Sequence, residues 1–277
     1  MEKSNNVKLQ IGGNIMKKKV VTIKKKLTVN SIISRKPRRD AFEREDEAFL
    51  RGKPDIKLGK QLGGGQYGGF HTIEGNDRLG VKLPYCHLTG SDDDDCSYCV
   101  NKGGIVAEGK NCHRQGFNSK PMLAPTKMVQ VKRYGKKCIG LVRPLVSNAI
   151  GHHASKLTDS QLKMIRKKLI ELSRSGVALY DGIQCGFTAS GRVLQFDLGD
   201  VEETDEEHAF EINRENWIGF LAMAKGVSSE AFESIGGMND ESFSVIIANA
   251  KRGKSPYIYN ELTELQKVVS KYGDIRM

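Results

Sequence analysis

Apolar positions divide the chain into a strand-rich first half and a helix-rich second half. Ile56-Lys57-Leu58, Phe70-His71-Thr72-Ile73 and Leu79-Gly80-Val81-Lys82-Leu83 alternate apolar and polar or β-branched residues, the period of a strand. An Asn76-Asp77 turn is expected between the last two. Met128-Val129-Gln130-Val131 and Cys138-Ile139-Gly140-Leu141-Val142 predict two more strands around a Lys-rich turn. Between these groups, Ile105, Val106 and Cys112 give one apolar face to a helix over Ile105–Arg114. Thr158-Asp159-Ser160-Gln161 is a capping box. Behind it Leu162, Ile165, Leu169 and Leu172 recur at steps of three, four and three, and Gly176 supplies the stop. Phe187-Thr188-Ala189, a Ser190-Gly191 turn and Arg192–Phe196 predict a hairpin. Helices are expected at Asn216–Ala224 (Trp217, Phe220, Leu221), 228–235, 242–250 and around Leu262, Leu265, Val268 and Val269. Near the start, Asp40–Leu50 predicts a short charged helix and Val20–Ile23 a short strand without an assigned partner. Gly52 and Pro54 mark a boundary.

Charge changes this picture at one end only. The net charge is +11, and residues 1–53 hold 15 Lys and Arg against 6 Asp and Glu, so +9 of it lies there. Such a leader can bind an acidic partner, an anionic membrane or nucleic acid, but a solvated extension is the favoured reading and nucleic acid the less favoured one. No apolar run reaches membrane-spanning length, and the N-terminus lacks the apolar core of a secretory signal. A cytoplasmic site is expected, with export by a dedicated secretion system as the other route. The six cysteines are then expected as thiols.

Candidate chemistry clusters in three places. Gly63-x-Gly65-x-x-Gly68-x-Phe70 precedes a strand, unlike the dinucleotide-binding motif, which opens a helix. A hairpin with glycines at its tip can approach phosphate oxygens closely. Lys82 stands fourteen residues after Gly68, and Glu108 is the favoured carboxylate on the following helix. Asp181 and Asp197 stand sixteen residues apart with the hairpin between them. The insertion 83–104 holds Cys96-x-x-Cys99, two thiolates at chelating distance. Cys86 or His87 and Cys112 or His113 would complete a zinc site, a less favoured reading than free thiols in an acidic loop.

In this order, the glycine-tipped hairpin, Lys82, Glu108, Asp181 and Asp197-Leu198-Gly199 resemble the protein kinase superfamily. The resemblance covers residues 56–200 by motif. It implies an α+β, two-lobed fold, with a small antiparallel-sheet N-lobe over 54–146 and a mostly helical, reduced C-lobe over 147–277. It also implies ATP and Mg²⁺. Gly63, Gly65 and Gly68 would cover the phosphates, Lys82 would pair with them and Glu108 would orient Lys82. Asp197 would hold the metal, and Asp181 would accept the proton of a protein hydroxyl. Tyr180 stands where many kinases carry an Arg that clamps a phosphorylated activation loop, so no such phosphorylation is expected. Gly186 stands where the family has a metal-binding Asn, with Gln184 two positions away. No Ala-Pro-Glu follows, and only 80 residues follow Asp197. In these respects the chain is most similar to the compact type III effector kinases that bacteria inject into hosts, which implies a host protein as substrate. Three rivals remain: a pseudokinase acting as an interaction module, a small-molecule phosphotransferase, and a zinc-stapled nucleic-acid binder using residues 1–53.

Overall fold

A computed structural model describes residues 42–52, 56–64, 68–84, 104–133, 136–227, 247–248, 251–253 and 256–275. The expected α+β architecture is present: an antiparallel sheet comes first and a mainly helical region follows. Strands β1 (Leu58–Gly64), β2 (Gly68–Ile73), β3 (Asn76–Pro84), β4 (Lys127–Arg133) and β5 (Lys136–Pro144) form one sheet in the order β1-β2-β3-β5-β4. Every neighbouring pair is antiparallel. Leu79, Val81, Leu83, Val131 and Val142 bury one face of it, as the alternation predicts. The first turn is Glu74-Gly75 and not Asn76-Asp77. Gly75, at φ 75°, takes the left-handed position. Asn76 instead accepts from the backbone N–H groups of Arg78 and Leu79, opening β3.

Helix α1 (Arg44–Gly52) overlaps the short charged helix expected at Asp40–Leu50 but runs two residues past its end, and packs Leu50 into this sheet's core. Arg78 on β3 pairs with Glu43, Glu45 and Asp46 at the N-terminal end of α1. Residues 1–41, with the strand expected at 20–23, lie outside the described residues.

Helix α2 (Ile105–Arg114) matches the expected bounds. Its internal Gly109 is a packing requirement, since a Cβ there would sit 2.6 Å from Leu141 and 2.8 Å from Met128. The glycine gives up helix propensity and lets α2 lie close on β4 and β5.

The larger core is built on α3 (Asp159–Ser173) and α4 (Glu206–Lys225), joined by α5 (Pro256–Tyr272). The Thr158 capping box is formed reciprocally with Gln161, and Leu162, Ile165, Leu169 and Leu172 are all buried. Gly176, at φ 66°, turns the chain into β7 (Val177–Leu179). Helix α4 begins ten residues before the expected Asn216. Asp205 accepts from the backbone N–H of His208 at 2.8 Å, and Glu206 and Glu207 occupy the first turn. The acidic run is therefore partly a helix N-terminus, where carboxylates are favoured by the cap and the macrodipole. The helices expected at 228–235 and 242–250 fall largely outside the described residues.

Candidate active site

Five stretches of chain converge between the sheet and the helical region. Lys82 occupies β3 opposite Phe70 on β2 and Leu141 on β5. Its Nζ lies 3.0 Å from Glu108 Oε2 and 3.7 Å from Asp197 Oδ1. Residues 82, 108 and 197 of the sequence reading are thus brought together by a strand, a helix and the end of a hairpin.

Glu108 is held by two cations. Its second oxygen accepts from Arg143 Nη2 at 2.6 Å. Burial pushes its carboxyl up, but Arg143 and Lys82 outweigh burial and hold it down at about 2. The sequence reading assigned no function to Arg143, which β5 carries two residues beyond Leu141. The only sequence signal for it is a charged side chain among apolar ones near a strand end.

Asp197 follows the hairpin of β8 (Cys185–Phe187) and β9 (Val193–Gln195). The hairpin's turn is Ala189-Ser190, one residue before the expected Ser190-Gly191, with Gly191 N–H bonded to Thr188 O at 2.8 Å and Gly191 at φ 80°. Its side chain is 36% exposed, and Oδ1 accepts from Gly199 N–H at 3.3 Å. Asp181 is exposed after β7, and its Oδ2 accepts from Gln184 Nε2 at 2.6 Å.

Gln195, also unassigned from sequence, links the two acids. Its buried side chain accepts from Gln184 N–H at 2.8 Å and donates to Gly182 O at 3.1 Å and Asp197 O at 3.2 Å. A buried amide with both ends bonded holds these segments in register. Gly186 pairs with Asn148 of β6 (Ser147–Asn148), and a Cβ on it would lie 1.9 Å from Ser147 O. This backbone excludes any side chain at 186, and Gln184 is the amide that reaches Asp181.

The glycines differ from one another. Gly63, opposite Phe70, has open space where a Cβ would be. At Gly68 a Cβ would meet Leu83 O at 2.2 Å and Ile105 Cδ1 at 2.6 Å, so its absence lets β2 and α2 close on β3. Gly65 lies outside the described residues.

Cys86, His87, Cys96 and Cys99 also lie outside them. Cys112 is buried beside Arg143, with its thiol pushed up by burial. Among the described residues, no three or more His, Cys, Asp or Glu side chains gather to hold a metal ion, and no helix is long and apolar enough to cross a membrane.

No protein-family profile matches the sequence. No curated protein matches it either. Among solved structures, the chain is similar to one in the structure of the CAK complex from Chaetomium thermophilum bound to ATP-gamma-S. The two share 12% identity over 58% of this chain and 51% of that one, with a TM-score of 0.38. This chain thus matches about half the length of that one. At that score the likeness carries no functional weight, which rests on the geometry above.

Proposed function

We propose that the chain is an ATP-dependent protein kinase that transfers the γ-phosphoryl group to a Ser or Thr hydroxyl. The observation that supports this most is one ammonium, Lys82, set between carboxylates from two other elements, 3.0 Å from Glu108 and 3.7 Å from Asp197. In this reading Lys82 pairs with the α- and β-phosphates, and Glu108 fixes its direction. Gly63, Gly65 and Gly68 bring backbone close to the phosphates. Asp181, steadied by Gln184, accepts the hydroxyl proton and aims the nucleophile. Mg²⁺ takes one or two carboxylates together with waters and phosphate oxygens, and a single, partly exposed Asp197 carboxylate fits that demand. Bound there, Mg²⁺ would supply positive charge between the phosphates. Phosphoryl transfer needs positioning and electrostatics more than covalent chemistry, so this small set of side chains is sufficient in kind.

Mass spectrometry of the protein and a generic basic substrate after incubation with MgATP tests the reading. Phosphate is expected with the natural sequence and absent with Asp197→Ala. Equal incorporation in both would remove Asp197 from the chemistry.

Transfer is expected without activation-loop phosphorylation. After Asp197 the chain enters β10 (Val201–Glu203), which pairs with β7. Glu203 meets Lys120 Nζ at 2.6 Å, and its N–H donates to Gln115 Oε1 at 3.2 Å. Tyr180 bonds His208 at 3.1 Å. A phosphate on Thr204 would stand just before a helix N-terminus already capped by Asp205 and lined by Glu206 and Glu207, beside Glu202 and a Glu203 that already holds Lys120, so the neighbouring carboxylates repel it and the nearby donors are taken. Phosphatase-treated protein and Thr204→Ala should therefore keep the initial rate. A lag abolished by preincubation with ATP would contradict this.

The finer reading is a compact bacterial effector acting on a host protein, with the basic leader holding an acidic partner. Deleting residues 1–41 stops short of the Arg78 pairs on Glu43 and Glu45. It should keep the transfer rate and weaken partner capture, and unchanged capture would dismiss the leader's role. A second reading, a nucleotide-binding interaction module without catalysis, is favoured by Gly186 alone. A thermal shift with MgATP and no transfer under any condition would select it.

A further inference from the structure

Among the described residues Arg143 is the one guanidinium whose side chain is fully buried, with 2% of it exposed. Its three nitrogens go to three separate stretches of chain. Nε donates to Thr126 Oγ1 at 2.8 Å, just before β4. Nη1 donates to the carbonyl of Phe196 at 2.7 Å, the residue before Asp197. Nη2 donates to Glu108 Oε1 at 2.6 Å, leaving Oε2 for Lys82. A guanidinium is planar and its donors form a rigid fork, so three acceptors bound to one fork hold fixed positions relative to each other. Desolvating a cation is costly and apolar packing would fill the space more cheaply, which makes its presence here informative about geometry.

We infer that Arg143 is the positioning residue of this site, fixing α2 and the Asp197 segment at the separations where Lys82 meets both. The chain then assembles the site through an internal cation, with no added phosphate or partner. The consequence for rate rests on the kinase reading; the consequence for structure does not. Two neighbours agree with it. Gly109 lets α2 seat on Leu141 and Met128, and Cys112, one turn beyond Glu108, is 1% exposed. If the fork is lost, α2 loosens and the Cys112 thiol becomes reachable.

The test uses the full chain with Arg143→Lys, Arg143→Met and Thr126→Val. Alkylation of Cys112 is read by peptide mapping, and Cys185 on β8, buried in the larger core to which Cys112 also belongs, serves as the control for global unfolding. Labelling of Cys112 should rise about tenfold or more in Arg143→Met, through local opening, while Cys185 stays protected. Arg143→Lys keeps the charge without the fork and should fall between. The kcat of Arg143→Met should drop about a hundredfold, as for a misplaced reacting group, with the KM for MgATP changing far less.

Natural-like Cys112 protection in folded Arg143→Lys overturns the inference, as does equal exposure of Cys112 and Cys185. If Arg143→Met does not fold, Arg143→Lys and Thr126→Val decide by the same labelling. Raised Cys112 labelling in a protein that transfers no phosphate would retain the positioning role and end the kinase reading. Robust transfer with unchanged labelling and kcat in the variants would do the reverse.

Discussion

Lys82→Ala is expected to cut phosphoryl transfer by about 10²–10³-fold, the effect of deleting one preorganised electrostatic contact to developing charge. The fold should survive. Lys82 is partly accessible on a strand whose core contacts come from Leu79, Val81 and Leu83, and Glu108 keeps its bond to Arg143 when the ammonium is gone. Circular dichroism and the melting temperature should therefore stay close to those of the natural sequence. Lys82→Arg should not restore the rate, because a wider, planar head replaces a compact charge held between two carboxylates. Full activity in folded Lys82→Ala would show that the ammonium does not face the phosphates.

Glu108→Gln is expected to show the opposite balance, a stability defect that depends on pH. The substitution leaves the Arg143 guanidinium buried without its counter-charge. The folded pKa of Glu108 lies at about 2 against an ordinary 4.5, so the carboxylate's contribution is full above about pH 4.5 and is lost as pH falls through about 2. On that shift the gap between natural and Gln proteins should be about 3 kcal/mol at pH 7 and about 1 kcal/mol at pH 3. Urea midpoints at the two pH values measure it. A gap of the same size at both would mean that Glu108 carries no ion pair in solution. Transfer should also fall in Glu108→Gln at neutral pH, because Lys82 loses the charge that directs it.

The two substitutions differ because the shared carboxylate is the node of the cluster. Removing Lys82 leaves a buried pair intact, whereas removing the charge of Glu108 strands Arg143, the most deeply buried charged side chain among the described residues.

Local signals in the sequence carried much of this. The capping box at Thr158 and Gln161 and the four leucine and isoleucine positions behind it place α3, because cap and stripe lie within one helix. The Ser190-Gly191 signal places the hairpin that ends at Asp197 to within one residue, because a Gly in the left-handed region marks the end of such a turn. Strand alternation puts Val81 and Leu83 in the core and so turns Lys82 to the other face. The apolar face of α2 was legible too, and with it Glu108. The start of α4 was not, because an acidic run reads as solvated surface until Asp205 is seen capping a helix.

What only the tertiary structure decided are the meetings between distant residues. Gly109 reads as a weak helix position until Leu141 and Met128 are found against it. Gly186 reads as a missing ligand until Ser147 O is found where its side chain would be. Gln195 carries no motif, yet its amide spans Gly182, Gln184 and Asp197. Arg143 reads as one more basic residue near a Lys-rich turn. Its partners lie 17, 35 and 53 residues away in sequence, and no local pattern encodes a bond whose other end is set by how a helix seats on a sheet.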